Sequence, residues 1–150
     1  MSIYYGYYAA TDDAHAAEAV EHETLEEMGA GHDQLVLTGL DPEIHIPALD
    51  TLISGRSAEA VEADPPYGPL LNSSDDGGTV CHPFTDAFRD ALAGLDPEKV
   101  PAVAVDWAAS AVFEDRNPGA DMLAQVLTEL AGLARDAAGR GDRLYYWIAI

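Results

Sequence analysis

The chain opens with SIYYGYYAA at residues 2–10 and closes with RLYYWIAI at residues 143–150. Both stretches are aromatic, almost free of charge and about one strand long. No other feature constrains the fold as much. An extended aromatic segment left in water is a sheet edge that recruits other chains. The economical home for both ends is one sheet, side by side or nearly so, with helices covering them, because terminal segments stay ordered where a sheet ties them down. Alternation sends Tyr5 and Tyr7 to one face of the first strand and Tyr4 and Tyr8 to the other. Cross-strand packing against Tyr145, Tyr146 and Trp147 accounts for these rings, and an aromatic ligand pocket between the two strands is the competing reading.

Between the ends the pattern alternates helices with short strands, which predicts a single α+β domain over residues 1–150: a small sheet containing both terminal strands, covered by several helices. TDD supplies a cap for a helix from about Asp12 to Met28, with Ala14, Ala17, Val20 and Leu25 inward. QLVLTGL reads as a short buried strand. IPALDTLISG reads as a two-turn helix with Pro47 in its first turn and Gly55 as its stop. Residues 64–79 form the longest loop. HPFTDAFRDALAG is a helix opened by Pro83, with Phe84, Ala87, Phe88, Ala91 and Leu92 on one face. DPEKV makes a further turn capped by Asp96, and AVAVDW fits strand or helix equally. The clearest helix is the last, capped by Asn117, striped by Leu123, Val126, Leu127, Leu130, Ala134 and Ala137, and broken by Gly139 and Gly141.

Charge is the second constraint. Twenty-seven acids face seven bases, for a net charge of −20, and residues 1–55 hold 11 acids and no base. Nucleic acids and anionic membranes are bound by Lys and Arg that displace counterions from phosphates, so both are disfavoured as partners. A basic protein or a cation is what such a field attracts. Self-repulsion that keeps the chain soluble accounts for the same numbers. Cys81 is the lone cysteine, no basic-then-apolar leader is present, and no stretch approaches the roughly 18 apolar residues of a membrane span; the expected location is the cytoplasm.

The order of these motifs resembles a known family. YYGYYAATDDAHAAEAVE, then LDTLISG, then VCHPFTDAFRDALAGLDPEKV followed by Trp107, the long helix and a closing strand is similar to the YfbM-like bacterial family, domain of unknown function 1877. The resemblance covers nearly the whole chain and implies a single α+β domain. It implies no reaction and no catalytic residues. The chain departs from it in having DPEIHIP where a tryptophan is expected.

Few residues suggest chemistry. On a continuous first helix, His15, Glu18, His22 and Glu26 fall within one arc at about 100° per residue, a spacing that can share a divalent metal. A solvated acidic face explains the same residues. HETLE at 22–26 has Glu26 where a zinc-protease helix needs its second histidine. Cys81 and His82 are adjacent and diverge on an extended chain, so Cys81 is expected as a small buried hydrophobe and His82 as the residue opening a helix. SDDGGT lacks the context of a phosphate loop and the ligand pattern of a calcium loop, and Arg140-Gly141-Asp142 is a helix stop. The reading that emerges is a non-catalytic interaction module, immunity- or inhibitor-like, whose acidic surface meets a basic protein. The alternative is a metal-binding protein or hydrolase using the His15/Glu18/His22/Glu26 face.

Overall fold

The computed structural model describes residues 3–22, 24–63, 68–113 and 118–150. The two ends do pair. Strand β1 (Tyr4–Ala10) and strand β5 (Arg143–Ala149) run antiparallel, with Gly6 opposite Trp147, at the centre of a five-stranded sheet. Strand β2 (Gln34–Thr38) flanks β1, while β4 (Thr79–Pro83) flanks β5 and carries β3 (Asn72–Ser73) outside it. Six α-helices complete the described residues: α1 (Asp13–Ala17), α2 (Ile46–Ser54), α3 (Ala58–Ala63), α4 (Asp86–Ala93), α5 (Val100–Ala108) and α6 (Ala120–Arg140). The chain is therefore an α+β domain with its first and last strands in the interior of the sheet.

The pleat divides the core in two. On the major face Tyr5, Tyr7, Leu144 and Tyr146 meet Ile46 and Leu49 of α2, Phe88 and Leu92 of α4, Trp107 of α5 and the stripe of α6. On the minor face Tyr8, Cys81, Tyr145 and Trp147 meet a thinner cover that includes Ala16, Ala19, Val20, Met28 and the half-buried Leu71. Tyr5, Tyr7, Tyr8, Tyr145, Tyr146 and Trp147 are all buried, so among the described residues these rings pack into the core rather than line an open pocket between the terminal strands. Their polar tips are paired inside the fold: the Tyr7 hydroxyl donates to the Leu40 carbonyl at 2.6 Å, and the Tyr146 hydroxyl donates to Glu43 Oε2 at 2.9 Å.

Helix α6 is the longest element, about 31 Å by its residue count. It buries Leu123, Leu127, Leu130, Ala131, Ala134 and Ala137, with Val126 half-buried, and Gly139 lies within it. Gly141 ends it at φ 76°, a left-handed turn that suits glycine and reverses the chain directly into β5. The expected cap Asn117 and the side chain of Leu25 lie outside the described residues.

Several local expectations are corrected. The first helix stops at Ala17 and tightens into a 3₁₀ turn, Glu18–Val20, with a second 3₁₀ turn at Leu25–Glu27. A continuing helix would give the carbonyls of Ala16 and Ala17 to its own N–H groups. Here the buried Tyr8 hydroxyl takes the first at 2.7 Å and the Asn72 amide takes the second at 2.9 Å. The inward residues become Ala16, Ala19 and Val20, leaving Ala14 exposed. Strand β2 is a half-exposed edge, because only Leu35 and Leu37 turn inward. Pro83 ends β4 rather than opening a helix. Phe84 N–H bonds the Leu144 carbonyl, and Thr85 caps α4 by accepting from Phe88 N–H at 3.1 Å. His82 is accordingly a strand residue, stacked on Tyr146 with ring centroids 5.3 Å apart. AVAVDW belongs to α5, in whose first turn Pro101 sits.

Candidate functional site

The sheet register builds three rows of side chains on the minor face: Tyr8–Tyr145–Pro83, Gly6–Trp147–Cys81 and Tyr4–Ala149–Thr79. Ala16, Ala19 and Val20 lie over the aromatic rows. The third row sits where this thin cover gives out, and there the surface opens as a recess of about 850 Å³ between Glu21–His22 on one side and the Ser74–Gly78 turn on the other. A smaller recess of about 390 Å³ adjoins it, sharing Glu21 and His22 and bounded by His15, Glu18 and His32.

Three of the four residues expected on one helical face, His15, Glu18 and His22, thus border the smaller recess, while Glu26 stands apart in the second 3₁₀ turn. They do not form a single helical face, because the helix ends before Glu18. His15 Nδ1 accepts from the Thr11 backbone N–H at 3.2 Å, so that nitrogen already has a partner within the chain. Among the described residues, no three His, Cys, Asp or Glu side chains are placed to hold a metal ion. His22 faces Glu27 Oε2 at 3.9 Å.

Sequence reasoning passed over His32. Its ring lies tilted against that of His15 with centroids 4.3 Å apart, and its Nδ1 lies 3.1 Å from the Ala9 carbonyl. The available signal was a histidine between Gly31 and the strand QLVLT, since pairing of that strand with β1 carries it beside the first helix. Burial lowers the pKa of His32, with the neighbouring His15 adding to the effect. Burial also lowers that of His45, which stacks on Phe113 at 4.7 Å and accepts from Asp41 N–H at 2.8 Å. A folded-state pKa below the unfolded value means that the unfolded chain binds more protons, so this stability is lost as pH falls through the unfolded histidine value of about 6.5. The melting temperature is expected to drop between about pH 7.5 and about pH 5.5. A flat or rising melting temperature across that window would contradict the assignment of both rings as neutral.

Burial pushes the Cys81 thiol up, away from the reactive thiolate, and the side chain is wholly enclosed, in keeping with a small core residue. Arg140 and Asp142 pair across the left-handed Gly141 at 3.0 Å, so that tripeptide serves the helix end.

The arginines among the described residues are spent internally. Arg143 bonds Asp86 at 3.0 Å and Asp13 at 3.2 Å, and Tyr145 donates to the same Asp13 oxygen at 2.9 Å. Arg89 reaches Asp90 at 2.9 Å and the Asp142 carbonyl at 3.0 Å. Arg140 also meets Asp33 at 3.1 Å, Arg135 donates to the carbonyls of Ala93 and Leu95, and Arg56 pairs with Asp50 at 2.7 Å.

Family models, characterised proteins and solved structures offer no match to the chain. What it does must be argued from its own surface. Among the described residues no helix is long and apolar enough to cross a membrane.

Proposed function

We propose that the chain is a non-catalytic binding module that covers a basic protein with its acidic surface, in the manner of an immunity protein or inhibitor. The observation that carries this is the disposition of charge. Each arginine among the described residues is tied to the chain's own carboxylates or carbonyls, while Asp12, Glu18, Glu21, Glu26, Glu27 and Glu43 stand exposed in the base-free first third of the sequence. Among the described residues of a chain with net charge −20, most carboxylates therefore face outward. Electrostatic complementarity of this kind accelerates encounter and suppresses wrong partners more than it adds affinity. Membership of the YfbM-like family and a cytoplasmic setting belong to the same proposal.

The test is capture from the native cytosol, identification of the bound protein, and titration of its purified form at about 50 mM and about 500 mM salt. The expected partner has a pI above about 9 and binds at least about tenfold more weakly at the higher salt. The variant Asp12→Asn/Glu18→Gln/Glu26→Gln/Glu27→Gln is expected to slow association with little change in dissociation. A partner that is not cationic, or affinity indifferent to salt, would overturn the reading.

A further inference from the structure

Strand β2 ends the sheet, and the ladder fixes which of its backbone groups are spent. Phe84 N–H bonds the Leu144 carbonyl in register with the β4–β5 pairs, so the even-numbered residues of β5 bond β4 and its odd-numbered residues bond β1. Those odd residues face the even-numbered residues of β1, which leaves Tyr5, Tyr7 and Ala9 to bond β2. The bond from Ala9 N–H to the Asp33 carbonyl at 3.1 Å gives the same answer from the other side. Leu35 and Leu37 therefore spend their N–H and C=O groups on β1. Those of Gln34, Val36 and Thr38 point outward, with no partner among the described residues.

Such an edge pairs with foreign strands unless it is very short, charged, broken by proline or a bulge, or covered. The opposite edge, β3, has only two residues. By contrast β2 has five, QLVLT, without a charge or a proline and in unbroken register with β1. Val36 at its centre is 45% exposed. The strand is also held ready. Leu35 and Leu37 pack on the major core, while the Gln34 amide donates to the Met28 carbonyl at 3.0 Å and accepts from Trp147 Nε1 at 3.1 Å. A strand fixed before its partner arrives loses little freedom on binding.

Charge decides what occupies this edge. A second copy brings another net charge of −20, and five residues a side fall well short of the roughly 20–30 that a stable interface uses. An acidic strand meets the same repulsion. A cationic strand is attracted instead, because residues 1–55 contain no base and β2 runs between Asp33, which meets Arg140 at 3.1 Å, and Asp41. We infer that β2 accepts an extended segment of the basic partner, carrying Lys or Arg, as a sixth strand of the sheet. Main-chain bonds to Gln34, Val36 and Thr38 set its register, and the surrounding acidic field selects for its charge. The acidic surface completes the interface around it. The identity of the partner rests on the function proposed above; the open edge does not.

The probe is acetyl-Lys-Thr-Val-Thr-Val-Thr-Lys-amide, titrated into the whole chain and followed by amide hydrogen exchange in heteronuclear NMR. One control peptide carries Glu for both lysines. The other carries Pro for every threonine, which keeps the charge and removes the donors that would face β2. At saturation the lysine peptide is expected to slow exchange at Gln34, Val36 and Thr38 by at least about tenfold, while Leu35 and Leu37, already bonded to β1, change little. Neither control protects them. Val36→Pro removes an N–H that β1 does not use, so the protein keeps its fold and binds the lysine peptide at least about tenfold more weakly. Val36→Lys keeps every backbone donor, weakens the lysine peptide and admits the glutamate one; it carries the test if the proline variant melts early. Equal binding by either control peptide, or no protection of the three amides, would overturn the inference. So would a dimer of the free chain that Val36→Pro dissolves, since a second copy would then hold the edge. A captured basic protein whose affinity ignores both Val36 variants sinks the strand pairing alone. Protection by the lysine peptide with no basic protein captured sinks the partner reading alone.

Discussion

Gly6→Ala is expected to destabilise the fold by about 4–6 kcal/mol. Gly6 lies at the centre of β1 opposite Trp147, and the indole lies across the space a side chain would occupy: a Cβ built on Gly6 comes within 2.0 Å of Trp147 Cε2 and 2.1 Å of its Nε1. No methyl fits there, and both residues belong to central strands, so the backbone cannot yield without disturbing β2 and β4 together. The ring must leave instead. It would give up a nearly complete burial, worth about 3–5 kcal/mol by analogy with truncating a core aromatic, and the 3.1 Å bond from its Nε1 to Gln34 Oε1, worth about 1 kcal/mol. A loss of about 4–6 kcal/mol is about half of the middle of the 5–15 kcal/mol range typical of a domain. The informative control is Gly132→Ala in the middle of α6, where a Cβ meets nothing within 4 Å and the helix gains roughly 0.5–1 kcal/mol. Thermal melts followed by circular dichroism compare the two. If Gly6→Ala melted within about 1 kcal/mol of the parent, the placement of Trp147 would be wrong.

That contact explains why the ends of the chain were legible. Period-two alternation, aromatic content and the lack of charge all act locally along YYGYYAA and LYYWIA, and pairing the two segments is the arrangement that hides both. What escaped was decided at long range. The helix read through to Met28 has the local composition to continue, but Tyr8 and Asn72, on two other strands, claim the carbonyls it would use. QLVLT has the apolar content of an interior strand; its position at the edge of the sheet is set by strand order, which no local pattern encodes. HPF resembles a helix start until β4 pairs with β5 as far as Pro83. The same limit hid the site. Glu21, Asp75 and Asp76 read as scattered surface acids, and Ala149 as one more small residue in a strand. They share a recess only because the cover of the minor face is shorter than the sheet beneath it. His32 joined His15 through the pairing of β2 with β1, an event that helical spacing cannot anticipate.

The second large effect belongs to Arg56. Asp50 on α2 is wholly buried, and its Oδ2 receives Arg56 Nη2 at 2.7 Å, delivered by the turn through Gly55, while its Oδ1 has no hydrogen-bond partner among the described residues. The pair is lopsided, since the Arg56 side chain keeps 26% of its surface in water and that of Asp50 keeps none. Removing the guanidinium strands a carboxylate that cannot reach solvent, and breaking a buried pair from one side costs about 3–5 kcal/mol; the partial exposure of Arg56 places Arg56→Met near about 3 kcal/mol. Asp50→Leu leaves a guanidinium that can turn towards water, so it is the milder single change. The double variant removes both charges and the unsatisfied Oδ1 together, and buried pairs replaced by apolar residues of similar volume are often neutral or better, which puts it within about 1 kcal/mol of the parent. The expected order of stability is therefore parent and double variant together, then Asp50→Leu, then Arg56→Met, with a coupling of about 3 kcal/mol or more across the cycle. Urea unfolding of the four proteins decides it. A double variant less stable than Arg56→Met alone would mean that the ion pair stabilises the fold outright rather than merely compensating for a charge that α2 has carried into the core.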